Sequence, residues 1–280
     1  MVSALRNGSM LFGWKEILAM GPGATGRLLL PVCLVVGLVV SEAVAGAYQA
    51  DPTIEGVTVQ GRVKLSGLPM DTVPIRVYRD GDYCGETIPS ETVVVDPSTK
   101  GFGNAIVSLV GIERGKPVIP SESPLILEIE SKKCRFSPHV SATVVGATLE
   151  IRNLDPILHN LHARRDTRFG PTVMNVIQPA GTRSVQKPFS GAAFLDVRCD
   201  VHAFMSAFIH VFEHPYFAIT DPGGSFVMTK VPPGLYTLHI WHEQFGTQER
   251  TINVLSGENV TVEIEIGGKN LAPADGGLVR

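Results

Sequence analysis

The chain has 280 residues, with 24 Lys plus Arg against 27 Asp plus Glu and a net charge of −3. That length allows two or three domains, each with its own core, and the mild acidity without any basic run excludes a nucleic-acid-binding protein. Short alternating apolar segments separated by glycines and prolines (29 and 20 of them) predict an all-β fold class.

Residues 1–47 read as a signal peptide or, failing cleavage, an N-terminal anchor. Arg27 precedes the apolar run Leu28–Val40, and Ala43-Val-Ala45 or Ala45-Gly-Ala47 then offers a small-residue cleavage site. The run is shorter than the roughly 20 apolar residues a membrane span needs, so membrane association is expected through this segment only. The expected location is periplasmic or secreted.

Segment 54–115 is an N-terminal β-module. Val57, Val59, Val63 and Leu65 alternate across Gly61, Ile75 and Val77 alternate next, and Asp80-Gly-Asp82 is a turn. Thr92–Asp96 and Asn104–Val110 supply further strands. The pattern leaves open whether the module stands alone or fuses to its C-terminal neighbour. A Pro- and Ser-rich connector, 115–124, leads to a second unit at 121–213.

In that unit Leu125, Leu127 and Ile129 alternate, Leu149 and Ile151 line the next strand, and Leu195, Val197 and Cys199 carry one strand's inward face to the loop Cys199–Met205. Cys199, His202 and Met205 lie at C-x2-H-x2-M spacing, a thiolate, an imidazole and a thioether on one loop. Soft ligands of this kind select copper, and a trigonal Cys–His–His set with a distant Met is a type 1 copper arrangement. The second imidazole must come from elsewhere, and His159, in Asp155-Pro-Ile-Leu-His159-Asn160-Leu-His162, is the candidate. Zinc is the nearest rival metal, but it has no use for a thioether. The plainer alternative is a buried Cys and Met that only pack.

An alternating strand, then N-x-D…H-N-x-H, then about forty residues, then C-x2-H-x2-M and another strand, resembles the cupredoxin family over 126–213, with a ligand loop as short as that of amicyanin. The resemblance implies a Greek-key β-sandwich and one type 1 copper ion held by His159, Cys199, His202 and Met205. Asn160 would steady the Cys199 sulfur as the residue after the first ligand His. His202 would reach the surface as the electron port, with Ala203 and Phe204 as an apolar collar. Arg198 and Ala203 depart from the amicyanin pattern without removing a ligand. Asp155-Pro156 would fix the approach of His159. His162 and His139 fall outside the ligand set. His162 is expected beside the site or exposed, and His139 on the surface or hydrogen-bonded. Met174 reads as a packing residue.

Once Cys199 is assigned to metal, Cys84 and Cys134 are left to pair as a disulfide in an oxidising compartment, the alternative being two reduced buried thiols.

From Tyr216 the pattern changes to turn, strand, Val231-Pro-Pro-Gly234-Leu-Tyr236, strand and a final alternating strand, Val260–Ile266. This resembles the carboxypeptidase regulatory-like, or transthyretin-like, β-sandwich over 216–267, which implies a binding or architectural module. Trp241-His242-Glu243 reads as a packed Trp between solvated neighbours. The tail 268–280 has no periodicity and reads as disordered. The function expected is outer-sphere electron transfer with a redox partner protein, by a protein that is not an enzyme. The alternatives are copper binding and delivery without redox turnover, or an interaction module with a relict site. Multicopper oxidases would need repeated H-x-H pairs, and a binuclear copper centre two Cys on one loop, and neither pattern occurs.

Overall fold

A computed structural model describes residues 47–67, 73–118 and 124–267, all within one compact unit, Val44–Arg280. The expected export segment and the expected disordered tail lie outside these residues, apart from Ala47. No helix among the described residues is long and apolar enough to cross a membrane.

Among the described residues the fold is all-β apart from a single helical turn, Gly81–Cys84. Two β-sandwiches share it. The first is contiguous in sequence. One of its sheets orders the strands Val185–Pro188, Thr148–Asn153, Ile126–Ser131 and Phe136–Ser137. The other orders Thr172–Gln178, His159–Arg165, Ala193–Arg198, Ser206–Phe212 and Val140–Val144. Ile129, Leu149, Ile151, Leu161, Leu195, Val197 and Ile209 fill the space between the sheets. Period-2 alternation puts these side chains on inner faces, where their burial supplies the main stabilising term.

The second sandwich is assembled from both ends of the described chain. Val57–Leu65 lies between Ser225–Val231 and Val260–Ile266, antiparallel to the former and parallel to the latter. Ile106–Val110 lies between Phe217–Ile219 and Gly234–His242, and Gly246–Val254 completes that sheet. The expected boundary between a 54–115 module and a 216–267 sandwich is therefore corrected: the two segments pair strand to strand and share one core, from Val59, Val63 and Phe102 to Leu238 and Val254. Neither segment has enough strands of its own to satisfy its backbone N–H and C=O groups. Gly61 marks how tightly they join, because a Cβ there would come within 2.1 Å of the Val262 carbonyl oxygen.

The sandwiches meet through a third, smaller core of Ile106, Val140, Phe194, Phe208 and Trp241. The rings of Phe194 and Trp241 lie 4.9 Å apart and those of Phe208 and Trp241 5.2 Å apart. Trp241 is packed as expected, but its neighbours are not solvated. His242 is 1% exposed and Glu243 is ion-paired to His139. The reason is that Gly234–His242 is an interior strand with both faces covered, one by its own sandwich core and the other by the neighbouring sandwich.

Candidate metal centre

The ligand loop is the connection of an antiparallel pair. Arg198 faces Ser206 across the Ala193–Arg198 and Ser206–Phe212 strands. The Met205 N–H donates to the His202 carbonyl at 2.8 Å, tightening residues 199–205 into a compact turn. The His159–Arg165 strand pairs with Ala193–Arg198 on the other side, and this pairing carries His159 to the loop across 40 residues of sequence.

Three side chains converge. Cys199 Sγ lies 3.9 Å from His159 Nδ1 and 3.7 Å from His202 Nδ1, and the three donor atoms are all within 4.8 Å of one another. His159 is fully buried, and Cys199, His202 and Met205 are each 1% exposed. Cys199 is a free thiol, whereas Cys84 and Cys134 form a disulfide. Cys134, Asp155 and His159 also lie close together, but the Cys134 sulfur is spent in that disulfide and is no ligand.

The far nitrogens of both imidazoles are fixed by carboxylates. His159 Nε2 is 2.9 Å from Asp155 Oδ2, and His202 Nε2 is 2.7 Å from Asp80 Oδ2. A carboxylate only accepts, so each proton sits on Nε2 and each Nδ1 turns a bare lone pair toward Cys199. One thiol proton cannot serve two such lone pairs and Asn160 Oδ1, which is 3.4 Å from the sulfur. Two imidazole lone pairs and a thiol in one dry pocket are a donor set that a soft cation would satisfy, and a copper ion fits that chemistry. Burial pushes the His159 pKa below its ordinary value, outweighing the pull of Asp155, and keeps the ring neutral.

Asp155 is the hub of the outer layer. It accepts from the Lys133 N–H at 2.6 Å, the Cys134 N–H at 2.8 Å and the Tyr83 hydroxyl at 2.8 Å. Lys133 and Cys134 both take left-handed backbone conformations, φ 50° and 56°, which aim their N–H groups at one carboxylate. Burial pushes the Asp155 carboxyl up, but these hydrogen bonds together outweigh it and leave the pKa below the ordinary carboxylate value. Asn160 joins the strand to the loop. Its Oδ1 accepts from the Asp200 N–H at 2.7 Å, and its Nδ2 donates to Asp200 Oδ2 at 2.9 Å.

His162 is 7% exposed and lies beside the site. Its Nδ1–H donates to Asp200 and its Nε2 accepts from the Thr172 hydroxyl, both at 2.8 Å. His139 is buried and hydrogen-bonded to Glu243 and to the Ser206 carbonyl. The expectation that His202 reaches the surface is corrected. Its imidazole is covered because the Asp80 turn lies over it, and Cys84, at the end of the same helical turn, is tied by its disulfide to Cys134 behind Asp155. Sequence reasoning read Asp80 only as part of a turn. The signal that could have found it is its place four residues before a Cys whose partner lies near the site.

A family model described as polysaccharide lyase family 4, domain II, matches residues 203–262. No curated protein matches the chain at a significant level. Among solved structures the chain is similar to amicyanin from Paracoccus versutus, with 18% identity over 38% of this chain and 96% of that one at a TM-score of 0.27. It is similar to a purple cupredoxin from Nitrosopumilus maritimus, with 18% identity over 30% and 97% at a TM-score of 0.26. It is also similar to a copper-containing nitrite reductase from Thermus scotoductus, with 20% identity over 35% at a TM-score of 0.29, spanning 25% of that chain.

Proposed function

We propose that this chain is an exported copper protein of the cupredoxin class that holds one type 1 copper ion and passes single electrons. The observation that carries the reading is the buried convergence of His159 Nδ1, Cys199 Sγ and His202 Nδ1, with both imidazoles oriented by carboxylates from behind. His159, Cys199 and His202 would hold the ion, with Met205 as a weak axial donor. Bound there, copper supplies a one-electron couple whose rearrangement on electron gain a rigid, dry ligand set keeps small. The residues do the remainder. Asp155 and Asp80 orient the rings, Asn160 pins the loop to the strand, and the surrounding core excludes water.

Burial of all four ligands favours an ion that is retained over one that is handed on, so electron transfer ranks above delivery. Export is supported by the disulfide, which oxidising compartments sustain. A redox partner protein is part of the proposal, and no catalytic role is assigned to any residue.

The test is copper(II) titration of the purified protein followed by visible absorption. A thiolate-to-copper band in the blue or green protein is the expected outcome, and Cys199→Ser should abolish it, because a hydroxyl is too hard and too basic to replace the thiolate. His159→Ala should weaken copper binding. Met205→Leu should keep the ion and raise the potential. Loss of copper in Met205→Leu with full retention in His159→Ala would sink the four-ligand set in favour of a thioether-dominated copper(I) carrier.

A further inference from the structure

The two sides of the ligand loop differ in charge and access. Over His202 lies the Asp80 carboxylate, itself 40% exposed, with Asp82 beside it on the same turn. That edge carries two carboxylates, with Arg79 3.7 Å from Asp80 and the Tyr83 ring 42% exposed on the same turn. On the other side a cleft of about 440 Å³ opens against Cys199, lined by Arg164, Arg168, Phe169, Arg198, Asp200 and Ala203. Three cations and one anion line it, in a protein whose net charge is −3. The anion is engaged within the fold, since Asp200 accepts from His162, Asn160 and Asn175. Arg198 is paired to Asp196 and Arg164 lies 3.9 Å from Asp200, so Arg168 sets the sign at the rim. Phe169 stands 85% exposed there, with the Arg168 guanidinium 4.9 Å from its ring centroid. Arginine and aromatic side chains together are the residues that anchor protein interfaces.

We propose that this arginine-rimmed cleft, and not the edge of His202, is where an acidic partner protein docks to exchange the electron with the site. The inference rests on the copper reading of the site. Its physical content is charge complementarity: opposite charges steer the encounter, and the edge over His202, with Asp80 and Asp82 against Arg79, attracts an acidic partner less. The route into the partner then starts from Cys199, which lines the cleft.

Two measurements test it together. A fluorescein-labelled heptaglutamate peptide is titrated into the apoprotein at low ionic strength and followed by anisotropy. Separately, the reduced copper-loaded protein is oxidised by hexacyanoferrate(III) in a stopped-flow instrument. One electron leaves the copper centre, hexacyanoferrate(III) becomes hexacyanoferrate(II), and no bond forms or breaks. Arg168→Glu should weaken peptide binding and slow the oxidation, each by roughly tenfold at low salt. Lys187→Glu, the same charge change on an exposed strand of the opposite sheet, should change neither by more than about twofold. Tris(phenanthroline)cobalt(III), a cationic oxidant, should respond to Arg168→Glu with the opposite sign.

Equal responses of the two variants overturn the proposal. So does an apoprotein that binds the peptide through Arg168 while hexacyanoferrate oxidation is indifferent to that residue, because the cleft would then bind acid without passing electrons. A protein that takes up no copper fails the functional reading instead, and the peptide arm still reports on the cleft.

Discussion

The two sandwiches are built from similar alternating strands, yet one is continuous in sequence and the other is divided. The continuous sandwich runs from Ile126 to Phe212 without interruption, whereas its neighbour takes Val57–Leu65 and Ile106–Val110 from one end and Phe217–Ile266 from the other. The difference is one of partners. The continuous sandwich carries His159, Cys199 and His202, but the chain between two strands of the divided one supplies the turn at Asp80–Cys84 that covers the cluster from outside. A site can be encoded in one contiguous unit and still be finished by a segment over a hundred residues away in sequence.

The sharpest way to break this division of labour is to cut the bond between the two parts. Replacing Cys84 and Cys134 by serine opens a loop of 50 residues and should cost on the order of 4 kcal/mol by the chain-entropy account. It should also free the Asp80 turn from His202. Chemical denaturation reads the first effect, and faster exchange of the His202 ring proton in NMR spectra reads the second. An unchanged exchange rate would show that the turn holds without its tether.

The seam between the sandwiches is the next place to press. Trp241→Ala should destabilise by about 3 kcal/mol, because the indole packs against both Phe194 and Phe208. If the two cores are coupled through this seam, the single unfolding transition should split into two. A single transition merely displaced to lower denaturant would show that the cores remain coupled through other contacts.

Acid tests the same seam. Burial lowers the pKa of His210 and His214 to about 4 and of His242 to about 3. Buried His210, His239 and His242 each keep one ring nitrogen without a partner among the described residues. Below the unfolded histidine value of about 6.5 the unfolded chain takes up protons that these folded rings refuse, so stability should fall as pH falls from there toward 4. His139 works in the opposite sense. Burial pushes it down, but the Glu243 carboxylate more than offsets this and raises its pKa. Its contribution is present at acid pH and lost as pH rises through its folded value. Five rings with lowered values, His159, His210, His214, His239 and His242, against one predict a net acid loss. Melting temperatures at pH 5 and pH 7.5 measure it, and His242→Phe, among the rings of Phe102 and Phe245, should flatten the difference.

The smallest expected effect separates the two carboxylate caps. Asp155 is 2% exposed and accepts from four groups, while Asp80 is 40% exposed. Asp155→Asn should lower copper affinity by on the order of tenfold or more, and Asp80→Asn by less, because outer hydrogen bonds to a ligand imidazole weigh more when dry. Competition with a chromophoric chelator checks the order, and a larger loss in Asp80→Asn would reverse the ranking of the two caps.

The sequence by itself determined the all-β class and singled out the loop Cys199–Met205 and His159, whose Cys199, His202 and His159 side chains the structure brings together. Strand alternation and short ligand spacing are local properties, written within a few residues of each other. The pairing of Cys84 with Cys134 followed from counting cysteines once Cys199 was assigned to metal, and the structure places that bond. Only the tertiary structure decided which strands complete the second sandwich, because alternation marks a strand without naming its neighbour. Only it covered His202, since Asp80 stands 122 residues away in the chain. Only it buried His242 and enclosed most of the Glu243 side chain, because a period-2 pattern reports one covered face and cannot announce that another sandwich covers the second.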